Sequence, residues 1–566
     1  MQRNYTNRSF LDALGQRILI YDGAMGTSLQ NMDLTAEDFG GEQYFGCNDY
    51  LVISNPKVVE DVHRSFLDVG VDVLETDTFR SNRITLAEYK LQDRVIEINQ
   101  KAAVLARKLA DEYSNNTQQQ RFVAGSIGPS GKLPSMDDPE LSNVTFDQLV
   151  EVYAEQATGL ILGGVDLILI ETSQDILEVK ACILGIQKAF IETGVYLPIQ
   201  AQVTLDTTGR MLLGTDIAAA LTILEKLPID VIGLNCSTGP EHMREPISFL
   251  GENSTLPVSC IPNAGLPLNV DGEAVYPLRP SDFADALSEF VEKYNISVVG
   301  GCCGTTPEHL RELVSRIKGK PNPPRPVLES THLASAIQVM NMQQEPAPFL
   351  IGERLNTQGS RKFKQIILDE DYESVLGIAQ QQVDSGAHGL DICVALTERA
   401  DEAETIRKVI KKIAPNIKVP LVIDTTELDV MEMALQTAPG RCLINSTHFE
   451  SGREKADKVF GLAKKYNAAV LVLTIDEKGM AKTSQQKLEI AKRLVDTAVN
   501  DHGLRPSDLV IDALTFTLAT GDAEFNLSAV ETMEGIRLIK QNLPGVLTSL
   551  GVSNVSFGLS QPARAV

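Results

Sequence analysis

Apolar residues in this chain gather in short continuous runs, and the stretches between them carry apolar positions three and four apart. In the first 310 residues the runs fall at 18–24, 71–79, 121–129, 165–173, 198–206, 229–237, 256–264 and 296–304. Runs of this length rich in Val, Ile and Leu predict strands buried on both faces. The intervening stretches, such as TFDQLVEVYAEQATGLILGG at 145–164, have the helical period. Eight such strands alternating with helices predict a closed parallel (β/α)8 barrel. A proline-rich break, PNPPRP at 321–326, follows, and the chain to QEPAPF at 344–349 reads as a linker. The alternation then restarts, with runs at 349–356, 389–395, 420–426, 442–447, 469–476, 509–515 and 546–554. These are seven strands where a closed barrel needs eight. The expected fold is therefore α/β: two tandem (β/α)8 TIM-type barrels at 1–320 and 349–566, joined by a linker at 321–348. The second lacks its last strand and helices, which predicts exposed strand edges.

Composition narrows the functions available. The 566 residues carry a formal net charge of −24. That argues against a nucleic-acid partner, which needs a basic face, and against an anionic membrane surface. No apolar run approaches the roughly 20 residues of a membrane span, and the first residues do not read as a signal peptide. Eight cysteines in 566 residues are too few for a disulfide scaffold. The expected location is cytoplasmic, with cysteines that fill cores or bind ligands.

Three of those thiols converge by topology. Cys236 ends the sixth strand of the first barrel, and the adjacent Cys302 and Cys303 end the eighth, in GGCCG. An adjacent pair admits packed core residues, a strained vicinal disulfide or two ligands of one metal. Alternate strands of a barrel feed the same interior layer, and the C-terminal strand ends form the catalytic mouth. All three thiols should meet there. Three sulfur ligands leave the fourth position of a tetrahedral zinc open, as in catalytic sites. The chemistry that suits this is thiol activation, because a free thiol is only about 3% thiolate at pH 7. The scattered Cys47, Cys182, Cys260 and Cys442 read as small core residues.

The motifs YDGAMGT (21–27), GLNCS (233–237), PNAG (262–265) and GGCCGTTPEH (300–309) resemble the homocysteine S-methyltransferase family over residues 15–318. The resemblance implies that Cys236, Cys302 and Cys303 hold Zn2+ and that the metal binds the sulfur of homocysteine. It places Asp22 and Glu171 near the bound amino acid. A carboxylate at a strand end can pair with its ammonium, and the turn through Gly23 and Ala24 can offer N–H donors to its carboxylate. Where ETDTF has Asp77, relatives usually carry Asn.

The strand ends of the second unit carry Asp391, Asp424, Asn445, Asp476, Asp512 and Asn554. Carboxylates and carboxamides match a heterocycle with adjacent N–H donors, such as the edge of a pterin; a strand-end Asp is also a common helix cap. IGERLNTQGSRKF (351–363), PLVIDTT, LINST and SNVSFGL (553–559) resemble pterin-binding domains, including those for methyltetrahydrofolate. The resemblance implies that Asp424, Asn445 and Asp512 hold the pterin, with Glu353, Asn356 and Asp391 lining the pocket. It also places Asn554 at N5, the methyl-bearing atom, and Arg564 near an arginine of related chains. Relatives often have Asn at the position of Cys393, and Pro at that of Ala513.

The order of the two units resembles the N-terminal half of the cobalamin-dependent methionine synthase family. The implied function is methyl transfer from 5-methyltetrahydrofolate, via cobalamin (methylcobalamin), to zinc-activated homocysteine, giving methionine and tetrahydrofolate. The sequence has no Asp-x-His-x-x-Gly motif, so the cobalamin is expected from another domain or a separate corrinoid protein. Two other readings stay open: a homocysteine methyltransferase with a direct donor such as betaine or S-methylmethionine, and a zinc- and folate-binding relative without turnover.

Overall fold

A computed structural model describes residues 4–270, 273–520 and 525–564. The chain divides into two units, 2–328 and 329–566.

The first unit is a parallel barrel. Its strands are β1 (Leu19–Ile20), β2 (Val73–Glu75), β3 (Phe122–Ile127), β4 (Leu167–Ser173), β5 (Ile199–Val203), β6 (Val231–Asn235), β7 (Val258–Ile261) and β8 (Val298–Val299). They lie in the order β1-β8-β7-β6-β5-β4-β3-β2. The ends of this order meet. Tyr21 bridges Val73, the Asp72 N–H donates to the Ile20 carbonyl at 2.7 Å, and the Asp22 N–H donates to the Val73 carbonyl at 3.0 Å. Phe122, Leu167, Leu169, Val231 and Val298 fill the interior, and Phe10 packs edge-on against Phe122. All eight expected runs contain a barrel strand, each shorter than its run. The stretch at 145–164 forms the helix Phe146–Leu162, started by a capping box between Thr145 and Gln148.

The second unit is a seven-stranded parallel sheet, curled but open. Its strands are β9 (Ile351–Asn356), β10 (Gly389–Cys393), β11 (Leu421–Asp424), β12 (Leu443–Thr447), β13 (Ala469–Leu473), β14 (Leu509–Asp512) and β15 (Leu547–Ser549). They pair in chain order, and β9 and β15 form the two edges among the described residues. Val422, Leu443, Ala469, Leu471, Val510 and Leu547 form the core. The hairpin His332–Ala334/Val339–Asn341 adds Leu333 to it. Arg441 fastens the hairpin: its guanidinium donates to the His332 carbonyl and pairs with buried Asp508 at 2.6 Å.

The segment 321–348 contributes to both units. Arg325 donates to the carbonyls of Leu250, Gly251 and Ser254 at the end of helix Pro240–Asn253, while the hairpin belongs to the second unit. No helix among the described residues is long and apolar enough to cross a membrane.

Candidate active sites

The three thiols meet at the mouth of the first barrel. The Cys236 and Cys303 sulfurs are 3.8 Å apart, those of Cys302 and Cys303 are 4.0 Å apart, and all three lie within 4.8 Å of one another. A disulfide requires about 2.05 Å, and all eight cysteines are free. Four ligands on a tetrahedral zinc with Zn–S of about 2.3 Å sit about 3.8 Å from one another, so the sulfur spacing fits that metal. S–H donation from Cys236 and then Cys302 holds the Cys303 sulfur well below the ordinary thiol range.

Local backbone geometry produces this convergence. Cys236 and Ser237 both adopt left-handed φ, 59° and 63°, which turns the chain sharply at the end of β6. The Cys302 N–H donates to the Pro262 carbonyl at 2.8 Å, and the Cys303 carbonyl accepts the Ala264 N–H at 2.9 Å. The thiol pair is thus laced to the loop after β7. Between those anchors stands Asn263, buried, with no hydrogen-bond partner for its Oδ1. Gly304 has φ of 78°, and a Cβ there would lie 2.1 Å from the Tyr276 ring. A Cβ on Gly301 would lie 2.5 Å from the Thr305 hydroxyl. The glycines of GGCCG are therefore demanded by close neighbours. Half-buried Tyr276 lies against the cluster, and its hydroxyl supports the Cys303 thiolate. Sequence reasoning missed both Asn263 and Tyr276.

Carboxylates gather beside the thiols. Burial, then repulsion from Glu171 and Asp22, pushes Glu75 well above the usual range. Burial does the same to Asp22, whose oxygens accept the Glu75 N–H at 3.1 and 3.2 Å. Glu171 is pushed up to about 7, chiefly by burial, while Ser126 and Asn235 hydrogen-bond it and the Cys303 charge repels it. Burial and mutual repulsion thus favour the protonated forms of these carboxyls, and a cation placed among them would favour ionisation. His63, fully buried with both ring nitrogens unpartnered, stands 4.0 Å from Asp22; burial pushes it down to about 4. Asp77 is buried in the same mouth with Oδ2 unpaired. The turn after Asp22 differs from expectation: the Ala24 N–H already donates to Thr305 Oγ1 at 3.2 Å, so it is not a free donor for a substrate carboxylate.

The second unit assembles most of its expected polar set. Asn356 donates to Asp391 at 3.2 Å and to Asp424 at 2.9 Å, and Asn445 donates to Asp391 at 3.2 Å. Burial, then the Asp424 charge, pushes Asp391 up to about 7. Glu353 is exposed on β9, yet its charge reaches both carboxylates. Asp512 ends β14, raised by burial, and accepts the Leu514 N–H at 2.7 Å. Asn554 lies outside this hydrogen-bonded network, beyond Gly551, whose N–H donates to Asp512. β15 ends at Ser549, and Asn554 lies exposed in the 3-10 turn Val552–Ser556, its amide nitrogen packed against Gly551. Asp476 turns away to pair with Arg493 at 3.1 Å. Arg564 closes the short helix Gln561–Arg564, and its side chain lies outside the described residues.

The homocysteine S-methyltransferase model matches residues 19–317. The chain belongs to that family. The model of pterin binding enzymes matches residues 352–565. Methionine synthase of Mycobacterium tuberculosis (strain ATCC 25618 / H37Rv) is 42% identical over 559 residues, covering 98% of this chain and 46% of that protein. Methionine synthase of Mycobacterium leprae (strain TN) is 40% identical over 564 residues, with the same two coverages. The chain therefore spans about half the length of these relatives. Among solved structures, the metallated homocysteine methyltransferase MmuM from Escherichia coli is 22% identical, covers 55% of this chain and 99% of its own, and superposes with a TM-score of 0.44.

Proposed function

We propose that this chain methylates homocysteine to methionine using the methyl group of 5-methyltetrahydrofolate, relayed by cobalamin. The observation that carries the reading is the sulfur triad, spaced as zinc requires and set beside a pool of carboxylates. Zinc, when bound, supplies a Lewis acid that keeps a fourth sulfur ionised at neutral pH. Cys236, Cys302 and Cys303 would hold it, and the unpaired Oδ1 of Asn263 adds an oxygen donor on the same loop. Asp22, Glu75 and Glu171 would take the ammonium of homocysteine, which relieves their mutual repulsion.

In the second unit Asp391 and Asp424 would accept the N–H donors of the pterin, with Asn356 and Asn445 fixing both carboxylates. Asp512 would supply a further acceptor, and the Asn554 amide can hydrogen-bond N5 in either protonation state. Cobalamin, presented by another domain or a corrinoid protein, supplies the methyl-carrying centre. The cytoplasm is the setting this chemistry calls for, because free thiols persist there.

Zinc analysis combined with zinc-edge X-ray absorption, with and without homocysteine, tests the reading. The expected result is bound zinc with three sulfur neighbours, gaining a fourth when homocysteine is added. A zinc-free protein, or coordination that homocysteine leaves unchanged, would overturn it.

A further inference from the structure

The helix Ser484–Asp496, between β13 and β14, carries Lys487 on its inner side. The side chain is 1% exposed. Its ammonium donates to three carbonyls: Ala481 at 3.0 Å, Ala513 at 2.6 Å and Leu514 at 3.1 Å. Burying an ammonium is costly unless every donor is satisfied, and here three donors meet three acceptors. Room for the stem comes from Gly535 on helix Ser528–Asn542, where a Cβ would stand 2.7 Å from Lys487 Cδ.

The acceptors are what make this placement informative. Ala513 and Leu514 directly follow Asp512. Leu514 adopts a left-handed φ of 52°, strained for a residue with a branched side chain. In that conformation its N–H reaches back to Asp512 Oδ1 at 2.7 Å, and its carbonyl accepts both Lys487 and Thr532 Oγ1 at 2.8 Å. Ala481 closes the other side: its N–H donates to the Thr474 carbonyl, and the Thr474 N–H donates to the Asp512 carbonyl at 3.2 Å. One ammonium thus joins the loops after β13 and β14 and holds the strained turn that orients the Asp512 carboxylate.

We infer that Lys487 is a positioning residue for the pterin site, acting through Asp512 by clamping the 513–514 turn. The inference rests on the reading of the second unit as a folate site. The charges facing the ammonium are the Asp512 and Glu531 carboxylates. Burial pushes Lys487 down to about 8, so its positive charge fades as pH rises through that value.

Titration calorimetry of the full chain with 5-methyltetrahydrofolate, from pH 7 to pH 9.5, tests this. Wild-type affinity should decline as pH rises through about 8. Lys487→Met keeps the length of the stem and should bind about tenfold more weakly at pH 7, the scale of one lost charge-assisted hydrogen bond. Its affinity should lack the decline above pH 8 and keep only the changes common to both proteins, the ionisation of the ligand and of Asp391 near pH 7. Thr532→Val, a gentler loosening of the same turn, should weaken binding by a smaller factor. Asp512→Asn serves as reference. If wild type binds no folate, the site reading fails. If wild type binds, Asp512→Asn loses affinity, and wild type and Lys487→Met share one affinity and one pH profile, the clamp is overturned.

Discussion

Single residues set the chemistry of both mouths, and two of them yield direct predictions. Gly304 allows the chain to turn with left-handed φ under the Tyr276 ring. Gly304→Ala adds about 1–2 kcal/mol of backbone strain and a clash with that ring, both felt at the neighbouring Cys303. The expected outcome is loss of zinc during dialysis against a mild chelator that leaves wild type loaded, measured by metal analysis. Asp391 keeps its proton up to about pH 7, against about 3.9 in an unfolded chain. An ionised carboxylate accepts a pterin N–H about twice as strongly as the neutral acid. Folate affinity should therefore fall as pH is lowered through about 7, and Asp391→Asn should flatten that limb in calorimetric titrations. The stability of the ligand-free protein runs the other way. The folded state holds the extra proton, so this contribution is complete below the unfolded value and is lost as pH climbs to about 7. The three converging cysteines were legible in the sequence because two strand ends in one barrel layer must converge. Tyr276 and Lys487 were not. Tyr276 lies in a loop without periodicity, and Lys487 reads as a solvated helix position until Gly535 on the next helix makes room for it.

Elements explain why the fold was more legible than its mouths. Runs such as LILI in β4 are continuous and apolar, so each signals a doubly buried strand whatever surrounds it. The loops carry no such signal, since side chains distant in sequence fix them. The loop after β3 is the clearest case. Glu178, on helix Ile176–Thr193, accepts the Ser130 N–H at 2.9 Å, the Ser130 hydroxyl and the Tyr153 hydroxyl. Asp175 caps that helix through the Leu177 N–H and also receives the Ser135 N–H at 2.8 Å and the Ser135 hydroxyl. One helix start therefore holds the loop over residues 130–135. Asp175→Ala removes the cap and the tether together, and should cost about 1–2 kcal/mol plus the loop bonds. Thermal unfolding would register the first loss. Faster amide exchange confined to 130–135 and the first turn of the helix would register the second. Exchange that stays slow there would show that the loop is held by other means.

Among the described residues this chain holds a closed barrel and an open sheet, and this difference should divide its stability. The first unit has no free strand edge at its β1–β2 seam. The second has edges at β9 and β15, and near the latter it exposes Leu527 (62%), Met533 (61%), Val552 (72%) and Phe557 (68%). Apolar area left in water contributes nothing to folding, at about 25 cal/mol per Å2 forgone, and unpaired edges leave backbone groups to solvent. Each unit also has its own core. Calorimetric melting should accordingly show two transitions, with the second unit unfolding first. A ligand that binds only the native state raises the transition of the unit that holds it, by about 2.7 kcal/mol at a hundredfold excess over Kd. Adding 5-methyltetrahydrofolate should therefore move the lower transition upward and leave the upper one in place. Stripping zinc should lower the upper transition and leave the lower one in place. If either ligand moves both transitions equally, the units unfold as one cooperative body and the separation of their cores does not separate their stabilities.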